Sequence, residues 1–335
     1  MHTEVLPAHT PELFEEAVRR AADLLRLGEA VALPTETVYG LAANALDAAA
    51  VEKIFSIKGR PAHNPVIVHV ASVEMAKRCV ALFPGLASAL ARAFWPGPLT
   101  LVLPRSRAIP DIVTAGGQTV GVRWPAHPLI QAVIRMCGFP LAAPSANLSN
   151  QISPTNAGHV CAQLGGKIAA IVDGGQASVG IESSVLDLTV SPPAILRPGM
   201  IHGESLAAAG FPVAQARPFL ESGSLKSPGR LKKHYAPKAK LLLLNWHNDS
   251  ELKAKIQKSK LETQRCHVIA HAQIPSPDPF ARVCVIPHDA EAFARAIYGE
   301  LHDCDEAGAQ AIIVEAPPGT PEWSGITDRL RRAAA

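Results

Sequence analysis

Three short segments concentrate the side chains that could do chemistry. The first is PTETVYG (34–40), where Thr35 and Thr37 follow an apolar run and Tyr39-Gly40 closes a turn. The second is SIKGRPAHNPVIVHV (56–70), with Lys58 and Arg60 two apart, Asn64 before a strand-like run and His69 within that run. The third is APSANLSNQISPT (143–155), in which Ser145, Asn147, Ser149, Asn150 and Ser153 crowd one turn. Arg123 ends another apolar run, Ser183 begins one, and Arg197 ends one before Pro198-Gly199. Hydroxyls, amides, backbone N–H groups and cations at strand ends make concavities for phosphate or carboxylate. The same residues also suit local work. Threonine-rich turns satisfy their own backbone, and cations before a glycine suit a helix C-terminus. Taken one at a time, the segments leave both readings open. With no obvious carboxylate pair among them, the chemistry they suit is placement and neutralisation of anions.

Elements must hold these segments together. Thr10-Pro11 starts a helix by cap and fixed φ, and Gly28 stops it. Asp47 caps a second helix through Phe55. The apolar runs AVALP (30–34), PVIVHV (65–70), LTLVLP (99–104), TVGVRWP (119–125), KIAAIVDGG (167–175), SSVLDLT (183–189) and PAILRPG (193–199) read as strands. PLAAPSAN (140–147) reads as a short strand opening into a turn. Helical patterns cover 72–82, 86–94 and 127–138, and one starts near Thr155. Helices and strands mix without strict alternation, which predicts an α/β fold with a twisted mixed parallel/antiparallel sheet over 1–215. Residues 216–239 break the rhythm and read as a linker. Residues 240–335 alternate strand and helix, which predicts a small Rossmann-like α/β domain.

Composition excludes several classes. Residues 1–215 carry 15 Lys+Arg and 15 Asp+Glu, so cations there act locally if they act at all. Aromatics are 5%, too few for a surface of stacked bases. Six Lys/Arg fall between Lys226 and Lys240 with no acid, a stretch suited to RNA contact or to a solvated linker. Six dispersed cysteines without a C-x-x-C pair give no support for zinc or dithiol chemistry and suit reduced, mostly buried thiols. No G-x-G spacing occurs, and LGGKIAA lacks the parts of a phosphate loop. No signal peptide is readable and no run is long enough to span a bilayer, so the expected location is cytoplasmic, with no membrane partner.

Read together and in order, PTETVYGL, Lys58-Gly59-Arg60, Asn64-Pro65 with His69 beyond, APSAN, DGG (173–175), ESSVLDL (182–188), LRPG (196–199), SPGRLKKHYAP (227–237) and the terminal DRLRRAA resemble the YrdC-type threonylcarbamoyl-AMP synthases, in their long two-domain branch. The resemblance implies a YrdC-like sheet with a large concave cleft. It implies that L-threonine, bicarbonate and ATP give threonylcarbamoyl-adenylate and pyrophosphate. A separate transferase complex then uses the adenylate to modify the adenosine next to the tRNA anticodon. By resemblance, Thr37, His69, Arg123, Ala143 and Ser183 hold threonine. Arg60, Asn64, Thr119, Ser145, Asn147, Ser153, Arg197 and Tyr235 hold ATP, and Lys58 with Arg60 serves catalysis near phosphate or bicarbonate. Tyr235 in the 216–239 linker acts as a lid. Mg2+ is expected with the triphosphate, and no metal is assigned to protein ligands. A weak contact with RNA is a further expectation. Two other readings remain: an RNA-binding module, and a carbamoyl-phosphate-dependent carbamoyltransferase, which the missing zinc-finger cysteines disfavour.

Overall fold

The computed structural model describes residues 2–214 and 234–335. Most of the expected linker, including Lys226, Arg230, Lys232 and Lys233 of the basic stretch, lies outside the described residues. Among the described residues the strands are β1 (Glu4–Pro7), β2 (Val31–Leu33), β3 (Gly40–Asn44), β4 (Val68–His69), β5 (Leu99–Pro104), β6 (Thr119–Arg123), β7 (Leu141–Ala142), β8 (Ala170–Asp173), β9 (Ser184–Asp187), β10 (Ala194–Arg197), β11 (Lys240–Leu244), β12 (Cys266–Ala270), β13 (Arg282–Val285) and β14 (Ala311–Glu315). The first ten form one sheet in the order β1-β8-β2-β3-β7-β4-β6-β5-β9-β10. Its pairs are mixed: β4–β6 and β5–β9 run parallel, whereas β2–β3, β5–β6 and β9–β10 run antiparallel.

The central strands are short. PVIVHV pairs only at Val68 and His69, because Asn64-Pro65 bends the chain and Pro65 has no N–H to give a ladder. GLAAN is a fully paired strand that apolar runs did not predict, since alanine has weak β propensity. It lies between β2 and β7, and its first four residues are buried. Helices cover the sheet. Thr10 caps Pro11–Arg26 by accepting from Leu13 N at 3.3 Å, and that helix buries Val18, Ala21 and Leu25. Asp47 caps Ala48–Lys58 by accepting from Ala49 N, and Gly59 ends it at φ 58°, a left-handed stop. The helix-end reading of Lys58 is therefore locally correct.

The remaining four strands form an all-parallel sheet, β11-β14-β12-β13, with the helices Asp249–Lys258, Ala290–Glu306 and Ser324–Ala333 in its crossovers and at its end. The two sheets share an apolar cluster: Val38, Ile152 and Ile181 pack with Ile297, Tyr298, Ile326 and Leu330. Burying each such aliphatic side chain contributes about 1.5–3 kcal/mol. Backbone meets backbone at this seam. A Cβ on Gly325 would stand 2.8 Å from Gly199 Cα. One on Gly180, at φ +86°, would stand 2.2 Å from Ala294 O. Among the described residues no helix is long and apolar enough to cross a membrane. Three of the six cysteines are buried, and Cys161 is exposed.

Candidate active site

The ends of β2, β4, β6, β7, β9 and β10 converge on an open cavity of about 540 Å³. Thr37, Arg60, His69, Arg123, Ala143, Ser145, Ser183, Arg197 and Tyr235 line it, together with Thr35, Glu182 and His234. Most of the residues expected at the site thus meet at one place, and its wall carries three arginines against one glutamate.

Arg123 anchors one end. Parallel pairing sets His69 of β4 opposite Arg123 of β6. The Arg123 guanidinium donates from Nε to Gly97 O at 3.2 Å and from Nη1 to Thr37 Oγ1 at 3.0 Å. Its Nη2 lies 2.7 Å from Glu36 Oε1 in a buried ion pair. Neither group counts this contact as a hydrogen bond, and both Glu36 oxygens are buried without one. The pair is therefore charge compensation with poor N–H alignment. The turn beneath it is built by Thr35, whose hydroxyl donates to Val38 O at 2.6 Å and accepts from the Thr37 and Val38 amides. The Thr35 and Thr37 hydroxyls also lie 2.9 Å apart, within hydrogen-bonding distance. Burial, reinforced by Arg123, pushes His69 down to about 3, so its ring is neutral. Its Nδ1 is buried with no hydrogen-bond partner. Ser183 Oγ shares a hydrogen bond with Thr100 at 2.8 Å.

Arg60 and Arg197 form the other end. Arg60 donates to Asn64 O at 3.0 Å and Pro65 O at 2.7 Å, which fixes its guanidinium on the stiffened corner. Burial, with Arg197 nearby, brings Arg60 down to about 10, still a cation at neutral pH. Arg197 grips Ser183 O through Nε and Nη2 at 3.1 and 2.9 Å. Glu182 accepts from Ser153 Oγ at 2.6 Å and from Tyr298 OH at 3.1 Å, and it pairs with Arg329 Nε at 2.7 Å. Burial alone would raise its carboxyl, but Arg329, Arg197 and the donated hydrogen bonds together hold it below the usual range. Tyr235 is 1% exposed at φ 62°, its hydroxyl has no partner, and burial raises its pKa. The chain around it is tied down by His234 N to Arg332 O and by Ala236 N to Asn150 O.

Four expected residues, Lys58, Asn147, Asn64 and Ser153, sit behind the wall instead of on it, and a fifth, Thr119, lines another cavity. Lys58 Nζ donates to Ser145 O and Asn147 O at 2.5 Å each and to Asn147 Oδ1 at 3.2 Å. An ammonium has three N–H bonds, so all are directed at the APSAN turn. Burial, with Arg60 beside it, drives the Lys58 pKa well down. Asn147 continues the brace by donating to Gln151 O at 2.7 Å. Asn64 is buried next to Arg60 with an unpartnered Oδ1. Thr119 lines a separate, narrow cleft with Thr100, Thr114 and Gly121, and Ile67 borders both spaces. Roles for Glu36, Glu182, His234, Tyr298 and Arg329 did not come from the sequence. A signal for one existed: Ile326, Arg329, Leu330 and Ala333 stand at helical spacing, which puts Arg329 on the buried face.

Comparison with known proteins places this fold in a family. The Sua5–YciO–YrdC family model, described as "Telomere recombination", matches residues 23–199. The chain belongs to the Sua5–YciO–YrdC family. A second model, "Threonylcarbamoyl-AMP synthase, C-terminal domain", matches residues 201–335. The threonylcarbamoyl-AMP synthase of Pyrococcus abyssi is 40% identical over 96% of each chain. That of Bacillus subtilis is 40% identical over 99% of this chain and 95% of its own. The crystal structure of P. abyssi Sua5 complexed with L-threonine superposes at TM-score 0.90 with 37% identity, covering 100% of this chain and 98% of that one. Fold class and family membership thus stand as the motifs implied.

Proposed function

We infer that this member of the Sua5–YciO–YrdC family is a threonylcarbamoyl-AMP synthase, which makes the adenylate for the first step of tRNA threonylcarbamoyladenosine formation. The observation that carries this reading is the full-length match to a fold solved with L-threonine. The cavity's chemistry supports it. Arg123 has a planar fork suited to the amino-acid carboxylate, with Thr37, Ser183 and the backbone at Ala143 beside it. Neutral His69 suits an acceptor or donor for the amine or hydroxyl. Arg60, Arg197, Ser145 and Tyr235 suit the triphosphate.

In this reading the threonine amine attacks the carbonate carbon and water leaves, giving a carbamate. A carbamate oxygen then attacks the α-phosphorus and expels pyrophosphate. Both steps gain from fixed neighbours and neutralised charge more than from a strong base. Lys58 acts indirectly, by holding the turn that presents Ser145. Tyr235 closes over the nucleotide and keeps water from the adenylate. Mg2+ arrives with the triphosphate. Among the described residues no group of three His, Cys, Asp or Glu side chains converges, and both carboxylates of the region face arginines. Bicarbonate, ATP, the tRNA transferase complex and a weak RNA contact through 226–240 complete the proposed partners. Six free cysteines fit a reducing cytoplasm.

The test is formation of an AMP adduct with pyrophosphate release, measured with threonine, bicarbonate or both withheld. Dependence on both is expected, and full turnover with either absent would overturn the reading.

A further inference from the structure

A carboxylate on the wall of an anion pocket needs an explanation. Glu182 lines the same cavity as Arg60 and Arg197 and is 7% exposed. Left alone there, its charge would repel a triphosphate and would be costly to bury. Arg329, on the last helix of the second domain, is 1% exposed and reaches across the seam. Its Nε meets Glu182 Oε2 at 2.7 Å, its Nη2 donates to Glu182 O at 3.2 Å, and its Nη1 donates to Pro198 O at 2.8 Å. Tyr298, also from the second domain, donates to the same Oε2 at 3.1 Å, which leaves Oε1 to accept from Ser153 at 2.6 Å. The Arg329 guanidinium carbon also lies 5.4 Å from the centre of the Tyr235 ring. One cation therefore touches a wall carboxylate, the strand end after Arg197, and the ring over the cavity.

We propose that Arg329 is a positioning residue for the nucleotide: it neutralises Glu182, so that this wall carboxylate does not repel phosphate. The second domain is then part of the nucleotide site and not an appendage to it. This rests on the reading that the cavity takes ATP. A purely structural ion pair would hold the two domains together and leave nucleotide affinity unaffected in any variant that folds.

The experiment titrates a non-hydrolysable ATP analogue calorimetrically into the full chain as wild type, Arg329→Met, Glu182→Gln and the double variant, with thermal melting alongside. Arg329→Met is expected to weaken analogue binding about tenfold or more, because it strands a buried carboxylate facing phosphate. Glu182→Gln keeps wild-type affinity or better. The double variant returns to within about threefold of wild type, since neither charge remains. Wild-type affinity in a folded Arg329→Met, or a double variant no better than Arg329→Met, overturns the proposal. Should Arg329→Met not fold, the double variant decides, and an affinity more than about tenfold below wild type is the overturning result. A wild type that fails to bind the analogue would instead defeat the nucleotide reading, before any variant is compared.

Discussion

The two ends of the cavity solve the same electrostatic problem with different parts of the chain. At the amino-acid end, Arg123 faces Glu36, and both come from the first sheet, 2.7 Å apart. At the nucleotide end, Glu182 comes from the first sheet and its arginine, Arg329, from the second domain, also at 2.7 Å. Each end also holds one neutral histidine. Burial pushes His69 and His234 down to about 3, with Arg123 adding to it at one end and the Glu182 carboxylate opposing it at the other. The difference lies in alignment. Glu36 has no aligned hydrogen bond, whereas Glu182 accepts from Ser153, Tyr298 and Arg329. A loosely held carboxylate beside Arg123 leaves its Nη2 available to a ligand carboxylate, while Gly97 O and Thr37 Oγ1 hold the rest of the guanidinium. A tightly held one at the other end fixes the wall.

The largest expected effect breaks the amino-acid end alone. Arg123→Met removes the carboxylate fork and strands Glu36. Threonine kcat/KM is expected to fall by about a hundredfold or more, the scale of breaking a buried charged pair. Analogue binding should stay within about threefold, because Arg60 and Arg197 are untouched. Steady-state kinetics with calorimetry on the same protein checks both halves. Equal losses at both ends would mean that the cavity behaves as one electrostatic unit.

The sequence and the structure agree best where a motif is local. Lys58, Arg60, Ser145 and Arg123 occupy a helix end, turns and a strand end that periodicity and Pro/Gly punctuation could place. Lys58 shows the limit: its residue type suggested an anion ligand, and only the three carbonyl-side contacts reveal a brace. The Glu182–Arg329 pair spans 147 residues, so no local pattern could join its halves. Half of that signal was present, since helical spacing sets Arg329 among Ile326, Leu330 and Ala333. A cation on an apolar stripe calls for a buried partner, but spacing cannot say which carboxylate supplies it. Strand β3 was hidden for another reason: GLAAN is small and alanine-rich, and its place comes from pairing on both sides.

A smaller effect treats the two ends alike. His69 and His234 stay neutral in the fold down to about pH 3, while in the unfolded chain each takes a proton near 6.5. Below 6.5 the unfolded chain therefore binds more protons. Stability from this source is intact above pH 6.5 and is lost on acidification, by about 1.4 kcal/mol per pH unit for each histidine. Denaturant melts between pH 7 and pH 5 are expected to show that slope. His69→Gln and His234→Gln should each flatten it by one histidine's share. An unchanged slope in either variant would mean that its ring already carries a proton in the folded chain.

The smallest expected effect separates ring from hydroxyl at the nucleotide end. The Tyr235 ring lies within 5.4 Å of the Arg329 guanidinium and 6.1 Å from the Tyr298 ring, so its packing does not need the hydroxyl. The hydroxyl itself is buried without a partner, a state that costs about 1–3 kcal/mol unless something else pairs with it. A bound nucleotide is the natural partner, because the residue lines the cavity. Tyr235→Phe is then expected to leave the melting temperature unchanged or slightly raised. Analogue affinity should fall about three- to tenfold, the worth of one hydrogen bond. Unchanged affinity would assign Tyr235 to the wall through its ring alone, packed against Arg329 and Tyr298 across the seam.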